Sequence, residues 1–208
     1  MSTGFPVIAS IVEGHGEQKA LRGLLQRLIP HLLPGSYAEV QSPHRVPRDR
    51  MLKRDPLAQA LTVVMARSPR PTGVLVLLDA DDDCAVGLAR QLRQHARETH
   101  AHVPLVAVAA VREFEAWFLA GATGLAGVAG LPDGLVPPPA PETIRGAKEW
   151  LTRQMPRGAS YQETAHQPSF VQRFDLDAAR SGAPSFDKLC RDVEFLITGK
   201  TPGRDTQH

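Results

Sequence analysis

The chain has 208 residues with a formal net charge of +2, of which 42% are hydrophobic and 22% charged. That composition supports a core, and so small a net charge does not by itself announce a nucleic-acid binder. Two cysteines, Cys84 and Cys190, exclude a disulfide framework or thiolate zinc site, and no apolar run approaches the ~18 residues of a membrane helix.

Residues 5–12 are apolar apart from Ser10 and predict a first strand, which runs into the glycine turn Glu13-Gly14-His15-Gly16-Glu17. Leu21, Leu24, Leu25, Leu28, Ile29 and Leu32 then recur at helical spacing until Pro34-Gly35 stops them. A short second strand is predicted over 37–40, and 43–54 reads as a loop carrying Arg45, Arg48, Arg50, Lys53 and Arg54. A helix with Leu57, Leu61, Val64 and Met65 follows. The run Val74-Leu75-Val76-Leu77-Leu78 has the character of a strand buried on both faces, and it ends in Asp79-Ala80-Asp81-Asp82-Asp83. Asp83 is the expected N-cap of a helix whose inward face is Ala85, Leu88, Ala89, Leu92 and Ala96. Residues 104–111 predict a last strand, ended by Arg112-Glu113-Phe114-Glu115, with Trp117 and Phe118 as core.

This alternation predicts an α/β fold with a mostly parallel sheet and helices on both faces. The α/β domain spans 1–120, and a Gly/Ala/Pro-rich hinge is expected over 121–141. A helical C-terminal appendage over 142–198 and a tail over 199–208 complete the chain. The appendage should hold a helix from near Pro141 to Met155, one around Phe170, Val171 and Phe174, and one capped by Ser185. No leading charged-then-apolar signal is visible, so the cytoplasm is the expected compartment and no membrane partner is expected.

Acids follow the strands: Glu13 after the first, Asp79 and Asp81 after the central one, Glu113 and Glu115 after the last. A parallel sheet brings those ends to one edge. Two unit charges ~4 Å apart repel by roughly 4 kcal/mol at an effective dielectric near 20. Such acids splay into water or surround a cation, and Mg²⁺ or Mn²⁺ accepts several carboxylate oxygens. The metal-ligand candidates are Glu13, Asp79, Asp81 and Asp83, the three aspartates facing one way if the segment is extended. The catalytic candidates are Glu13, Glu17, Glu113 and Glu115. Glu17 is equally explained as an acid favoured by the helix macrodipole. Glu113 and Glu115 point together if the strand continues and apart if a helix has begun, and one of them is expected to be structural. Gly14 and Gly16 suit a close backbone approach to a phosphate, or simply a tight turn. Arg48, Arg50 and Lys53 are the candidate nucleic-acid contacts, against the plainer reading of a solvated loop. Every acid has a plainer account too, as a cap or solvated turn, strongest for Asp82 and Asp83.

Val12-Glu13-Gly14-x-x-Glu17 followed by Leu78-Asp79-Ala80-Asp81 resembles the TOPRIM domain of topoisomerases, primases and OLD-type nucleases, over about residues 5–120. The resemblance implies that Glu13, Asp79 and Asp81 hold Mg²⁺ for phosphoryl transfer. More narrowly, Ile11-Val12-Glu13-Gly14, Arg112-Glu113-Phe114-Glu115-Ala116-Trp117-Phe118 and Pro184-Ser185-Phe186 resemble a bacterial family of small TOPRIM-like proteins. Members of that family are often encoded beside an ABC-type or AAA-type ATPase, which implies such a partner. Where many of its members carry an acid after the Trp-Phe-Leu segment, this chain has Ala120-Gly121. The expected function is a Mg²⁺-dependent nuclease or phosphoryl-transfer subunit acting on nucleic acid, DNA foremost, in defence or repair. Two alternatives stand beside it. One is a non-catalytic metal-binding regulatory subunit of an ATPase complex. The other is a haloacid-dehalogenase-type phosphotransferase, whose Asp-x-Asp normally follows the first strand.

Overall fold

The apolar runs assemble into a five-stranded parallel sheet in the computed structural model, which describes residues 4–200. β1 (Val7–Val12) leads through α1 (His15–Leu32) to two short strands, β2 (Glu39–Val40) and β3 (His44–Arg45). α2 (Arg48–Met51) and α3 (Arg54–Met65) precede β4 (Gly73–Asp79), α4 (Ala85–His100) and β5 (Leu105–Ala110). The sheet order is β2-β1-β4-β5, with β3 also on β1. β2 pairs with the first half of β1 (Val7↔Glu39, Ile8↔Val40) and β3 with the second (Ile11↔His44, Val12↔Arg45). They form one edge, interrupted near Pro43, which has no N–H to give a ladder. The loop expected over 43–54 therefore contains a strand, a helical turn and the start of α3.

Side chains alternate between two buried faces. Ile8, Val12, Leu75, Leu77, Val106 and Val108 face Leu21, Leu24, Leu25 and Leu28 of α1. Ala9, Ile11, Val74, Val76, Leu78 and Ala107 face Leu57, Leu61 and Val64 of α3, with Leu88, Leu92 and Ala96 of α4. Burial on both sides is why the strands read as unbroken apolar runs. Each fully buried leucine contributes roughly 2 kcal/mol. From β1 the chain moves one way to β2, and from β4 the other way to β5. The order thus reverses between β1 and β4, and their carboxyl ends flank the crevice where open α/β sheets bind ligands.

The later helices close over the α1 face. They are α5 (Ala116–Ala120), α6 (Ala147–Gln154), α7 (Glu163–Phe170), α8 (Leu176–Gly182) and α9 (Pro184–Thr198). Phe118 meets Phe170 and Phe174 edge-on at 5.4 Å, and Trp117 meets Phe186 at 5.3 Å. Residues 121–141 hold short 3-10 turns at Ala122–Leu125 and Val128–Gly130 and are otherwise irregular up to the turn at Pro141–Thr143, with Ala122, Leu125, Leu131 and Leu135 buried in the same cluster as the sheet.

Several local expectations change. α4 begins at Ala85 with Cys84 in the cap position and no side-chain cap, so Asp83 is not its N-cap. Ser185 lies inside α9, whose cap position is Ala183; its buried hydroxyl accepts from Trp117 Nε1 at 2.8 Å and donates to Glu142. The helix expected from Pro141 starts at Ala147, because Gly146 at φ +73° stands in the left-handed region. α8 was not read from the sequence, and Asp175 caps it, Oδ1 accepting from Ala178 N–H at 2.9 Å. Gly199, at φ +68°, ends α9, and the tail expected over 199–208 lies outside the described residues from 201 onward. Among the described residues no helix is long and apolar enough to cross a membrane.

Candidate metal centre

Three strand ends meet at the crevice. β1 releases Glu13, and α1 then places Glu17 in its first turn. β4 ends on Asp79, and the turn after it carries Asp81, Asp82 and Asp83. β5 gives way to the turn holding Glu113 and Glu115 before α5. The turn after β4 is not extended. Asp81 has φ +50° and forms an antiparallel bridge to Arg112 at φ +64°, its N–H donating to Arg112 O at 2.9 Å. Non-glycine residues in this region cost of order 1 kcal/mol or more each. As a result Asp79, Asp81 and Asp83 do not share one face, and the acids fall into two layers.

The inner layer is Asp79, Glu17 and Glu115. Asp79 Oδ1 accepts from Phe114 N–H at 2.8 Å. Burial holds its carboxyl well above the usual range, helped by Glu17 and Glu115 and opposed by Lys148. Glu115 has no solvent exposure. Its Oε1 accepts from the Tyr161 hydroxyl at 3.0 Å and from Gln167 Nε2 at 2.9 Å. Burial pushes it up to about 7 against the pull of Lys148. Glu17 is also buried, and burial raises it too. Lys148 pairs with Glu163; burial works against its charge, but Glu115, Glu163 and Asp79 outweigh that and raise it.

The outer layer is Glu13, Asp81 and Asp83, and Arg48 stands among them. Its guanidinium lies 3.6 Å from Glu13 Oε2, 3.7 Å from Asp81 Oδ2 and 2.8 Å from Asp83 Oδ2. It also donates to the main-chain oxygens of Asp79 and Ala80. Burial raises Glu13 while Arg48 draws it down. The chain therefore supplies one cation to its own acids, and Arg48 is not a free phosphate contact as expected. Arg50 on α2 and Lys53 before α3 are exposed.

The glycines serve the acids. A Cβ on Gly14 would collide with the Glu17 carboxylate, and one on Gly16 would lie 2.5 Å from Gln167 Oε1 and 2.8 Å from Nε2. The space read as room for a phosphate is filled by the protein's own side chains. Gln167 is fully buried against Glu115, so Gly16→Ala should force that amide aside. The expected cost is about 1–3 kcal/mol, read as a lower urea midpoint. An unchanged midpoint would show that Gln167 yields freely.

Among the described residues four carboxylate oxygens are buried without a hydrogen-bond partner: Oε2 of Glu13, Glu17, Glu113 and Glu115. Such groups normally find a partner, a proton or an ion. An all-oxygen donor set suits Mg²⁺ or Mn²⁺. Yet among the described residues no three acids converge closely enough to hold an ion as they stand. The donor chemistry fits, and the arrangement requires the Arg48 guanidinium to give way.

Glu113 and Glu115 point apart. Glu113 lines a cavity of about 200 Å³ with Asp81, Asp82 and Arg112, while Glu115 is sealed behind Tyr161 and Gln167. Tyr161, Gln167, Lys148 and Arg145 were not singled out by sequence reasoning, since all come from the region after the proline-rich stretch. Glu17 and Gln167 did leave a signal. Each is polar on an apolar stripe, Glu17 with Ala20, Leu21 and Leu24, Gln167 with Phe170, Val171 and Phe174.

One protein-family model, for a domain of unknown function (DUF4276), matches residues 12–194. No curated protein and no solved structure matches the chain.

Proposed function

We propose that the chain, which belongs to the DUF4276 family, is a divalent-cation-dependent phosphoryl-transfer protein acting on nucleic-acid phosphodiesters, DNA foremost. The observation that carries the reading is the set of buried carboxylate oxygens without a hydrogen-bond partner at the carboxyl edge of a parallel sheet. The resemblance of Val12-Glu13-Gly14-x-x-Glu17 and Asp79-Ala80-Asp81 to TOPRIM domains supports it. Glu13, Asp79 and Asp81 would hold Mg²⁺ or Mn²⁺, with Asp83 at the rim. Bound there, the ion would polarise a phosphoryl oxygen and acidify a water. Glu113, with a buried free oxygen beside Asp81, is better placed than Glu115 to take a proton from that water. Glu115 instead orients Tyr161 and Gln167 and keeps Lys148 charged near Asp79. An ABC-type or AAA-type ATPase partner rests on the resemblance alone.

The test is cleavage of single- and double-stranded DNA and RNA by purified protein with Mg²⁺ or Mn²⁺. Outer-shell changes at metal sites typically cost 10–100-fold, so Asp79→Asn and Glu13→Gln should lower activity by about 100-fold or more. Cleavage that survives both substitutions sinks the reading. A second reading, a metal-binding regulatory subunit, is favoured by Arg48 among the acids. Saturable Mn²⁺ binding with no cleavage of any of these substrates would select it. The haloacid-dehalogenase alternative needs a free Asp79 nucleophile, whereas one oxygen of Asp79 is held by Phe114 N–H.

A further inference from the structure

The cavity lined by Glu113 has two arginines on its wall, Arg112 from the turn after β5 and Arg145 from the segment before α6. Both point at Asp82. Arg112 Nη1 donates to Asp82 Oδ1, and Arg145 reaches Oδ1 at 2.7 Å through Nη2 and Oδ2 at 3.1 Å through Nη1. Among the described residues Asp82 is the carboxylate each of these arginines pairs with, and no second one is shared. Two guanidinium forks from distant parts of the chain thus converge on a pair of oxygens held by an exposed turn residue.

We propose that this cavity is a phosphate subsite, and that Asp82 holds the place taken by a backbone phosphate of a substrate strand. The proposal rests on the reading above for the strand, but not for the anion. Arginine forks match two oxygens of a phosphate as well as two of a carboxylate. Asp82 is 67% exposed in its side chain, and exposed ion pairs are weak, so a phosphate displaces it at little cost. The cavity of about 200 Å³ is smaller than the ~300–1,000 Å³ of whole-ligand pockets. It takes a phosphate and part of a sugar and leaves the base outside, so it reads backbone rather than sequence. Asp81 and Glu113 share the wall and would repel the phosphate, which puts the strand next to the acids where a cation neutralises both.

The test is binding of a fluorescent single-stranded oligonucleotide in chelator, where neither metal binding nor cleavage contributes. Asp82→Asn removes the internal competitor and should tighten binding several-fold. Arg145→Gln and Arg112→Gln should each weaken it about ten-fold and lower the salt dependence by about one unit of slope. Arg145 lies on an exposed loop, so its variant keeps the fold. In the double variant Asp82→Asn with Arg145→Gln, the gain should vanish, which a merely structural Asp82 does not explain. Inorganic phosphate and a nucleoside monophosphate should compete only at far higher concentration. An Asp82→Asn protein that binds no tighter than wild type overturns the subsite, as does an Arg145→Gln protein that binds equally well. A monophosphate binding as tightly as the oligonucleotide overturns the strand as its source. The predicted binding pattern without cleavage at any metal concentration supports the subsite and sinks the nuclease reading instead.

Discussion

Glu115→Gln is expected to stabilise the protein at pH 8 in chelator and to change little at pH 5. Burial raises the folded carboxyl from 4.5 to about 7. For an acid raised on folding, the stability it brings is fully present below the unfolded pKa and is lost as pH climbs through the folded one. The window is therefore about pH 4.5 to 7, and a gap of that size corresponds to roughly 3 kcal/mol. Glutamine keeps the oxygen that accepts from Tyr161 and Gln167, and removes the charge. Lys148 loses an anion but keeps Glu163, which offsets part of the gain. The net effect at pH 8 should be about 1–3 kcal/mol, measured by urea unfolding at both pH values. Equal destabilisation at pH 5 and pH 8 would mean that Glu115 is ionised throughout and held by Lys148.

Arg48→Gln should destabilise the protein in chelator and be repaired by a divalent cation. The substitution leaves Glu13, Asp81 and Asp83 without their shared cation and removes the guanidinium donor to the main-chain oxygen of Asp79, while Ala80 O keeps the Asp83 N–H. Breaking a fully buried ion pair costs about 3–5 kcal/mol, and this one is partly exposed, so about 2 kcal/mol is expected. An ion that binds only the folded state restores about 2.7 kcal/mol at a hundred-fold excess over Kd. The variant should also bind Mn²⁺ more tightly than wild type, because no guanidinium has to leave. Melting curves with chelator and with excess Mn²⁺ check this. A loss of equal size under both conditions would make Arg48 a structural clamp unrelated to any metal.

Much of this arrangement was legible from local signals. The runs around Ile8 to Val12, Val74 to Leu78 and Val106 to Ala110 are apolar because both faces of the sheet are covered, and the acids after them mark where the chain leaves the core. Parallel pairing then brings those acids to one edge, which needs no knowledge of the connecting segments. What was missed depends on packing between distant segments. Arg48 sits in a basic stretch that reads as solvated, and only the short α2 turns it back toward Asp79. Lys148, Tyr161 and Gln167 reach the site because aromatic packing around Phe118 and Phe170 folds the C-terminal helices over α1 and the sheet. No spacing in the chain encodes that. Asp83 failed as a cap for a related reason, since a tertiary partner, Arg48, competes for its carboxylate.

Mn²⁺ binding to the intact protein, followed by the loss of the free-ion electron paramagnetic resonance signal, addresses the site most directly because it needs neither substrate nor partner. Wild type should bind Mn²⁺ saturably, Mg²⁺ should compete, and Asp79→Asn and Glu13→Gln should each weaken binding at least ~10-fold, since even outer-shell changes at metal sites cost about that much. The Glu13 oxygen that lacks a hydrogen-bond partner would then have a ligand-bond partner in the ion. Absence of saturable binding in wild type, or binding undiminished in both variants, would contradict a metal centre at the carboxyl ends of β1 and β4.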